Sequence, residues 1–285
     1  MSAAAPRIAV VTTAGMEYPD PEAPIVADAL RETGVDAQLW AWDAPADWGG
    51  FDLVLVRSPW DYFDRLDQFL RWAEDVDAVT RIVNPANVIR WNSHKGYLAD
   101  MGQRGVPVLP NLLIPRGARD AERRLDGCGW DDVVIKPAVD GGARETLRAR
   151  RSSAAARGHT ARLAAAGDVV VQPYAAGVEA GETSLLFFGG EFSHAVRKVP
   201  AQGDYRVQAH HGGTEHRHEP TSLELETSQL AMSCAPGPLT YARVDLVEVD
   251  GVPTLMELEV IEPDLFFRAD PASLGRFVTA VTAEL

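Results

Sequence analysis

The sequence predicts an α/β protein built from more than one subdomain, and three observations carry that expectation. Apolar strand-like runs alternate with helical runs from Arg7 to Ala78, the pattern of a parallel sheet whose ligand groups gather at the carboxyl ends of its strands. Past Gly181 the pattern changes to short Gly-bearing turns between alternating runs, which signals hairpins. Finally, 285 residues with 46 % hydrophobic content exceed one compact unit and support real cores.

Arg7 to Thr13 is a short apolar run ending in Thr-Thr-Ala-Gly and reads as the first strand. Ile25 to Thr33 has helical spacing and stops at Gly34, and Val35 to Trp42 is a second strand. Phe51 to Val56 is a third, closing on Arg57-Ser58-Pro59-Trp60-Asp61-Tyr62, and a helix follows to about Ala78. That polar cluster lies at a strand's carboxyl end and is a candidate substrate contact; the bland reading is a turn that carries aromatics. Asn92 or Ser93 can cap a helix with Lys95 in its first turn. Val133 to Lys136 is a β-branched strand that ends on a lysine and runs into a turn containing Gly141-Gly142. Such a turn can bring backbone N–H groups against phosphate oxygens while the ammonium adds a point charge. Ser152 to Ala166 is one Ala-rich helix, Asp168 to Gln172 a strand, and Ser184 to Phe188 with Glu191 to Val199 a hairpin turned at Gly189-Gly190. Gly203 to Gly213 is a polar, glycine-bearing loop with His216 and His218 beyond it. The four histidines from 210 to 218 have no second ligand strand, which favours a solvated lid over a zinc site.

The net charge of −14, from 41 acidic and 27 basic residues, argues against a nucleic-acid or anionic-membrane binder, whose affinity rests on counterion release by Lys and Arg. An anionic ligand must therefore meet local basic groups. Cys128 and Cys234 show neither metal-ligand spacing nor a disulfide framework, which fits a reducing cytoplasm. The start, MSAAAPRIAVVTTAG, has too short an apolar run for a signal peptide, and no stretch approaches ~18 apolar residues, so a cytoplasmic location is expected. A dinucleotide-binding oxidoreductase would need G-x-G-x-x-G after the first strand, and Thr12-Thr13-Ala14-Gly15-Met16 supplies none.

The chemistry concentrates between Tyr241 and Phe267, where two strand-like runs flank Asp250-Gly251. With a three-residue loop, Asp250 to Val252, Val249 opposes Pro253 and Asp245 opposes Glu257, and Arg243 and Glu259 share their face. Val244, Leu246, Met256, Leu258 and Val260 then face the core. A two-residue Asp-Gly turn would split Asp245 from Glu257. Pro253, which cannot donate to a tight ladder, favours the longer loop. Like charges directly opposed are destabilising unless a cation sits between them, and hard cations such as Mg²⁺ want that kind of oxygen cluster. The same stretch reads equally well as a solvated hairpin with an acidic outer face.

Taken in order, Lys95, Ile135-Lys136-Pro137 with Gly141-Gly142, Val171-Gln172-Pro173-Tyr174, Gly181-Glu182-Thr183-Ser184, Gly203-Asp204-Tyr205-Arg206, and Arg243-Val244-Asp245 with Glu257-Leu258-Glu259 resemble the ATP-grasp ligase superfamily. The loop GDYRVQAHHGG is similar to those of its glutathione synthetase and ribosomal-protein glutamate ligase branch. The resemblance implies an ATP-grasp fold with an N-terminal α/β subdomain (residues 1–90), a small lid subdomain (91–175) and a C-terminal subdomain with the metal site (176–285). The last two are α+β and sandwich ATP. It also implies Lys95 and Lys136 on the α- and β-phosphates, with Gly141 and Gly142 closing over them. Gln172, Tyr174 and Ala175 would surround adenine, Glu182 would accept from the ribose hydroxyls, and Asp245, Glu257 and Glu259 would bind two Mg²⁺ ions. Many relatives carry Asn where Glu259 stands, so this site holds an extra formal charge.

The implied activity is an ATP- and Mg²⁺-dependent carboxylate–amine ligase that forms a C–N bond through an acylphosphate on a small amino-acid-like substrate. A carboxylate attacking the γ-phosphate must approach another anion, so Arg206, Arg243 and Lys198 are the expected catalytic cations. Arg57 to Tyr62, Phe192 to Lys198 and Gly203 to Gln208 are also similar to an actinobacterial-type branch that includes a cyclo-ligase closing O-ureido-serine into cycloserine, an antibiotic. There a nitrogen of the same molecule attacks the activated carboxylate. Arg57 would hold a substrate carboxylate and Asp61 an ammonium, with Trp60 also at the substrate. A non-catalytic nucleotide-binding module is the remaining alternative. His194 reads as a proton acceptor or as a packed strand histidine. The expected partner is a small-molecule substrate, with no nucleic acid and no membrane, and a homodimer is compatible with the sequence.

Overall fold

The computed structural model describes residues 4–15, 19–207 and 212–285; Met16, Gln208, His210 and His211 of the sequence reading lie outside the described residues. Strand β1 (Arg7–Thr12), helix α1 (Glu22–Glu32), β2 (Asp36–Ala41), β3 (Leu53–Ser58), α2 (Leu66–Asp77) and β4 (Arg81–Val83) form the first unit. Its strands are parallel in the order β2-β1-β3-β4. β3 is buried along its whole length, as an uninterrupted apolar run requires of a central parallel strand. α2 turns Phe69, Leu70, Ala73 and Val76 inward at helical spacing. β3 runs through Arg57 and Ser58, so Arg57 is a buried strand residue and not part of a turn.

Two short helices, α3 (Ala86–Asn92) and α4 (Tyr97–Gln103), lead out of this unit, and the expected boundary at residue 90 falls inside α3. Lys95 stands in the turn between them and not in a helix's first turn. The proposed caps are committed elsewhere: Asn92 donates to Leu258 O and accepts from Val260 N, and the Ser93 hydroxyl donates back to Arg90 O.

The second unit consists of β5 (Leu112–Ile114), α5 (Ala121–Asp126), β6 (Asp132–Pro137), β7 (Leu147–Arg150), α6 (Ala154–Ala166) and β8 (Val169–Pro173). It is an antiparallel sheet ordered β5-β8-β6-β7. Ser153 caps α6, its hydroxyl accepting from Ala156 N. The unit has its own core around Ile114, Leu125, Val133, Ile135 and Leu163. β5 and β7, of three and four residues, are too short to leave a periodic signal in the sequence.

The third unit contains β9 (Glu182–Phe188), β10 (Glu191–Val199), β11 (Thr214–His218), α7 (Ser222–Met232), β12 (Tyr241–Val249), β13 (Val252–Glu259) and α8 (Ser273–Thr282). Its antiparallel sheet is ordered β11-β10-β9-β12-β13. His216 and His218 therefore sit on an edge strand, not on a solvated lid, and His218 lies 3.1 Å from a Glu224 carboxylate oxygen.

The β12–β13 hairpin unites the predicted carboxylates by a different route from the expected one. Its turn is the two residues Asp250-Gly251, both left-handed at φ 50° and 80°, with Val249 opposite Val252 and Glu248 opposite Pro253. That is the primed turn which an Asp-Gly pair favours. β13 is the sheet's edge, where proline's missing donor is tolerated. A β-bulge then inserts Met256, so that Leu246 pairs with Leu255 but Asp245 pairs with Glu257 and Arg243 with Glu259. Leu255 takes the core position expected for Met256, which instead reaches the cavity described below.

The first and third units share their cores: Val54 and Val56 cluster with Phe187, Val244 and Leu258. Asn84, in a left-handed conformation at φ 56°, accepts from Thr240 N and donates to Tyr241 O and Val260 O, which fixes β4 to the β12–β13 hairpin. The second unit, with a separate core, lies over this fused pair. The 3₁₀ turn Ala176–Ala180 bridges to β9, and a Cβ on Gly177 would stand 2.1 Å from Glu248 O. Gly177→Ala is expected to destabilise the chain by about 1–3 kcal/mol and to raise the KM for ATP, because Tyr174, Ala175 and Val178 of the same segment wall the cavity. An unchanged denaturant midpoint would sink this packing argument.

Candidate active site

A cavity of about 540 Å³ opens where the three units meet, a size suited to a small-molecule site. Lys136, Gly141, Gly142, Gln172, Tyr174 and Ala175 line it from the side of the second unit. Glu182, Lys198, Arg243, Asp245, Glu257 and Glu259 form the opposite side, with Lys95 between the two and Arg206 entering from the 203–207 loop. Of the three predicted substrate residues, only Trp60 lines it. The sheet explains the convergence: β10, β9, β12 and β13 are neighbours, with Lys198 opposite Glu182, Ser184 opposite Asp245 and Asp245 opposite Glu257. Alternation then puts one set of polar side chains on one face.

Asp245 accepts from Arg243 Nε and Nη2, each at 3.0 Å, from the Ser184 hydroxyl at 2.5 Å and from Lys198 Nζ at 3.3 Å. Burial alone would raise its pKa, but Arg243 and Lys198 hold it well below the usual carboxylate range. Lys198 also pairs with Glu182 at 2.5 Å. Lys95 Nζ pairs with Glu257 at 2.9 Å and donates to Asp140 O at 2.7 Å. Burial again opposes, yet Lys95 and Lys136 keep the Glu257 pKa below its ordinary value. The Lys136 ammonium is pushed down by burial, with Glu257 countering and Lys95 adding to the fall. Arg243 also pairs with Glu259 and donates to Asp264 O at 3.2 Å.

Arg57 and Asp61 are corrections to the sequence reading. Arg57 is 1 % exposed, pairs with Glu22 at 3.5 Å and Asp20 at 3.8 Å, and donates to Pro263 O at 3.2 Å. Glu22 in turn accepts from Leu265 N and Phe267 N, so this buried network fastens the segment after β13 to α1. Asp61 accepts from the Thr13 hydroxyl and the Trp42 indole, each at 2.7 Å, and pairs with Arg65, away from the cavity lining. His194 is buried outside the cavity, 3.0 Å from Leu265 O, and is the packed strand histidine of the two readings. Arg206 folds back on Asp204 at 2.8 Å. Among the acidic cavity residues that escaped the sequence reading are Glu262 and Asp264. Both lie in the acidic stretch from Tyr241 to Phe267, but past the strand whose alternation assigns faces.

Among the described residues, no three His, Cys, Asp or Glu side chains stand together as a preformed metal cage. Asp245, Glu257 and Glu259 are instead matched by Arg243, Lys198 and Lys95. The donor set still fits a hard divalent cation that arrives with phosphates. Burial, reinforced by Asp245 and Glu257, pushes the Glu259 carboxyl up to about 8, and burial pushes Glu262 up to about 7. The cavity thus holds more acid than its own bases neutralise, a condition that an added cation relieves.

Residues 113–266 match the family described as the prokaryotic glutathione synthetase ATP-grasp domain, and residues 8–84 match the D-cycloserine synthetase DcsG N-terminal domain. The cycloserine biosynthesis protein DcsG of Streptomyces lavendulae is 34 % identical over 298 aligned residues, spanning 98 % of each chain. The crystal structure of D-cycloserine synthetase DcsG superposes with a TM-score of 0.88 at 31 % identity, over 97 % of this chain and 99 % of that one. The ATP-grasp ligase PsnB, solved with a minimal precursor, Mg and ADP, shares the fold at a TM-score of 0.64 and 18 % identity over 97 % of both chains. No helix among the described residues is long and apolar enough to cross a membrane. By these matches the chain belongs to the ATP-grasp ligases, in the family of the cycloserine biosynthesis protein, and is an ATP-dependent ligase.

Proposed function

We propose that this ligase closes a ring: it activates the carboxylate of a small amino acid of the O-ureido-D-serine type, and a nitrogen of the same molecule displaces the phosphate. The observation that carries the reading is one cavity of about 540 Å³ lined by Lys95 and Lys136 as well as by Arg243 and Lys198. Once that space holds a nucleotide, the remainder suits one compact substrate. Likeness to cycloserine synthetase over nearly the whole of both chains favours ring closure over condensation.

Lys95 and Lys136, with the Gly141-Gly142 turn, would take the α- and β-phosphates. Gln172, Tyr174 and Ala175 would surround adenine, and Glu182 would meet the ribose. The β5–β8 unit carries its own core and so can close as one body, whereas Tyr97, Leu98, Met101 and Val106 of the 91–175 range pack in the core of the first and third units. Asp245, Glu257 and Glu259 would hold Mg²⁺, which when bound supplies charge neutralisation at the β- and γ-phosphates. The substrate carboxylate oxygen attacks the γ-phosphorus, the bond to the β,γ-bridging oxygen breaks, and ADP leaves. Arg243 offsets the approach of two anions, and Arg206 and Lys198 add positive charge at either side. The ring nitrogen then attacks the acyl carbon, inorganic phosphate leaves and the nitrogen gives up its proton. Closure of the lid keeps water from the acylphosphate.

Purified enzyme given ATP, Mg²⁺ and O-ureido-D-serine is expected to release ADP and form a cyclic product, identified by mass spectrometry, with no added amine. Turnover that requires a separate amine would replace ring closure with condensation. Absence of ADP release under either condition would leave a nucleotide-binding module.

A further inference from the structure

Nearly every basic side chain of the cavity has an acidic mate: Lys95 has Glu257, Lys198 has Glu182 and Asp245, Arg243 has Asp245 and Glu259, and Arg206 has Asp204. Glu262 is the reverse case. It lines the cavity, and no Lys, Arg or His among the described residues lies within ion-pair distance of it. Lys95, the cation that acts on it most, is already engaged by Glu257. Glu262 also feels the acidic Glu257, and aromatic side chains stand beside it in the cavity wall. Tyr62 and Phe63 line the cavity with it, and the Trp60 indole donates to its backbone oxygen at 3.3 Å. Phe63 and Glu262 Oε1 stand 3.5 and 3.6 Å from where a Gly141 Cβ would be, which places both beneath the glycine turn. Arg57, through Pro263 O at 3.2 Å, fixes the next residue.

We infer that Glu262 holds the ammonium group of the substrate, with Trp60, Tyr62 and Phe63 as the walls of that subsite, an assignment that rests on the amino-acid ligase reading above. A carboxylate here repels phosphate and attracts a cation, and aromatic faces add cation–π attraction. Position supports the same conclusion. In an α-amino acid the ammonium stands on the carbon next to the carboxylate, so the group that holds it must sit beside the point where carboxylate meets γ-phosphate. By the phosphate assignment above, the Gly141-Gly142 turn would close over that point, and Glu262 Oε1 stands 3.6 Å from where a Gly141 Cβ would be.

The test compares O-ureido-D-serine with the same acid lacking its amino group, on the wild type, Glu262→Gln and Glu262→Asp. Wild type should prefer the amino substrate by about ten- to a hundredfold in kcat/KM, the range of one charge-assisted contact. E262Q should erase most of that preference, while E262D, which keeps the charge, should restore part of it. The ATP-induced rise in melting temperature serves as the fold check. Equal losses of both substrates in E262Q would overturn the assignment, since a merely structural residue does not read the amino group. Wild type that turns over neither substrate would instead overturn the ring-closure reading, and the ammonium assignment with it, by a pattern distinct from the first.

Discussion

Asp245→Asn is expected to lower ATP-driven turnover by about a hundred- to a thousandfold while leaving the chain folded. The substitution keeps the side chain's volume and an oxygen that can accept from the Ser184 hydroxyl at the present 2.5 Å contact. It removes the charge and turns the oxygen that accepts from Lys198 Nζ and Arg243 Nη2 into an amide donor. Arg243 retains Glu259 and Lys198 retains Glu182, so neither buried cation is left alone. The cost to stability should therefore stay near that of one hydrogen bond to a charged group, about 1.5–3 kcal/mol. Catalysis has no such reserve, because the charge lost is the one around which a phosphate-bound cation would be held. Glu257→Gln should behave in parallel while freeing Lys95. ADP release measured beside thermal melting separates the two effects, and full turnover in both variants would remove the metal assignment.

The alternation of β12 and β13 made the acidic face legible in the sequence, but only because two errors cancelled. A three-residue loop and a two-residue turn followed by a bulge give the same Asp245–Glu257 pairing. A bulge depends on how Met256 can pack, which no periodic pattern contains. Lys95 was recognisable as a phosphate candidate through its neighbours in sequence order, yet its place between two helices follows from Asn92 being claimed by β13, a contact 166 residues distant. Arg57 looked like a ligand because it ends an apolar run at a strand's carboxyl end. Its partners are Glu22 and the segment after β13, and only the shared core of the first and third units brings them together. Glu262 stayed hidden for the same reason: beyond the last paired residue, neither period two nor helical spacing says which way a side chain points.

Arg243→Met is expected to abolish turnover and to cost the nucleotide-free protein roughly 3–5 kcal/mol near neutral pH, because it leaves Asp245 and Glu259 buried with reduced compensation. The pH dependence of that deficit identifies its cause. In the wild type the Asp245 carboxyl is held below its ordinary value, so it contributes stability that is present above the unfolded pKa and is lost as pH falls through the folded one. Removing the guanidinium withdraws most of that contribution, leaving Lys198 as the remaining cation. Glu259 stands at about 8 through burial and its acidic neighbours even with Arg243 pulling it down, and without Arg243 it rises further. A carboxylate whose folded pKa exceeds its unfolded one takes up a proton on folding, so stability falls as pH climbs between the two values. Both effects have one sign. The variant should be furthest below wild type near about pH 9, where the wild-type Glu259 has ionised and the variant's has not, and should recover part of the gap by about pH 4, as Asp245 takes up its proton. Urea unfolding of both proteins at the two pH values reads this directly. A gap that does not change with pH would mean that the long side chain of Arg243, packed against the Phe266 ring at 5.6 Å, matters through its contacts and not its charge.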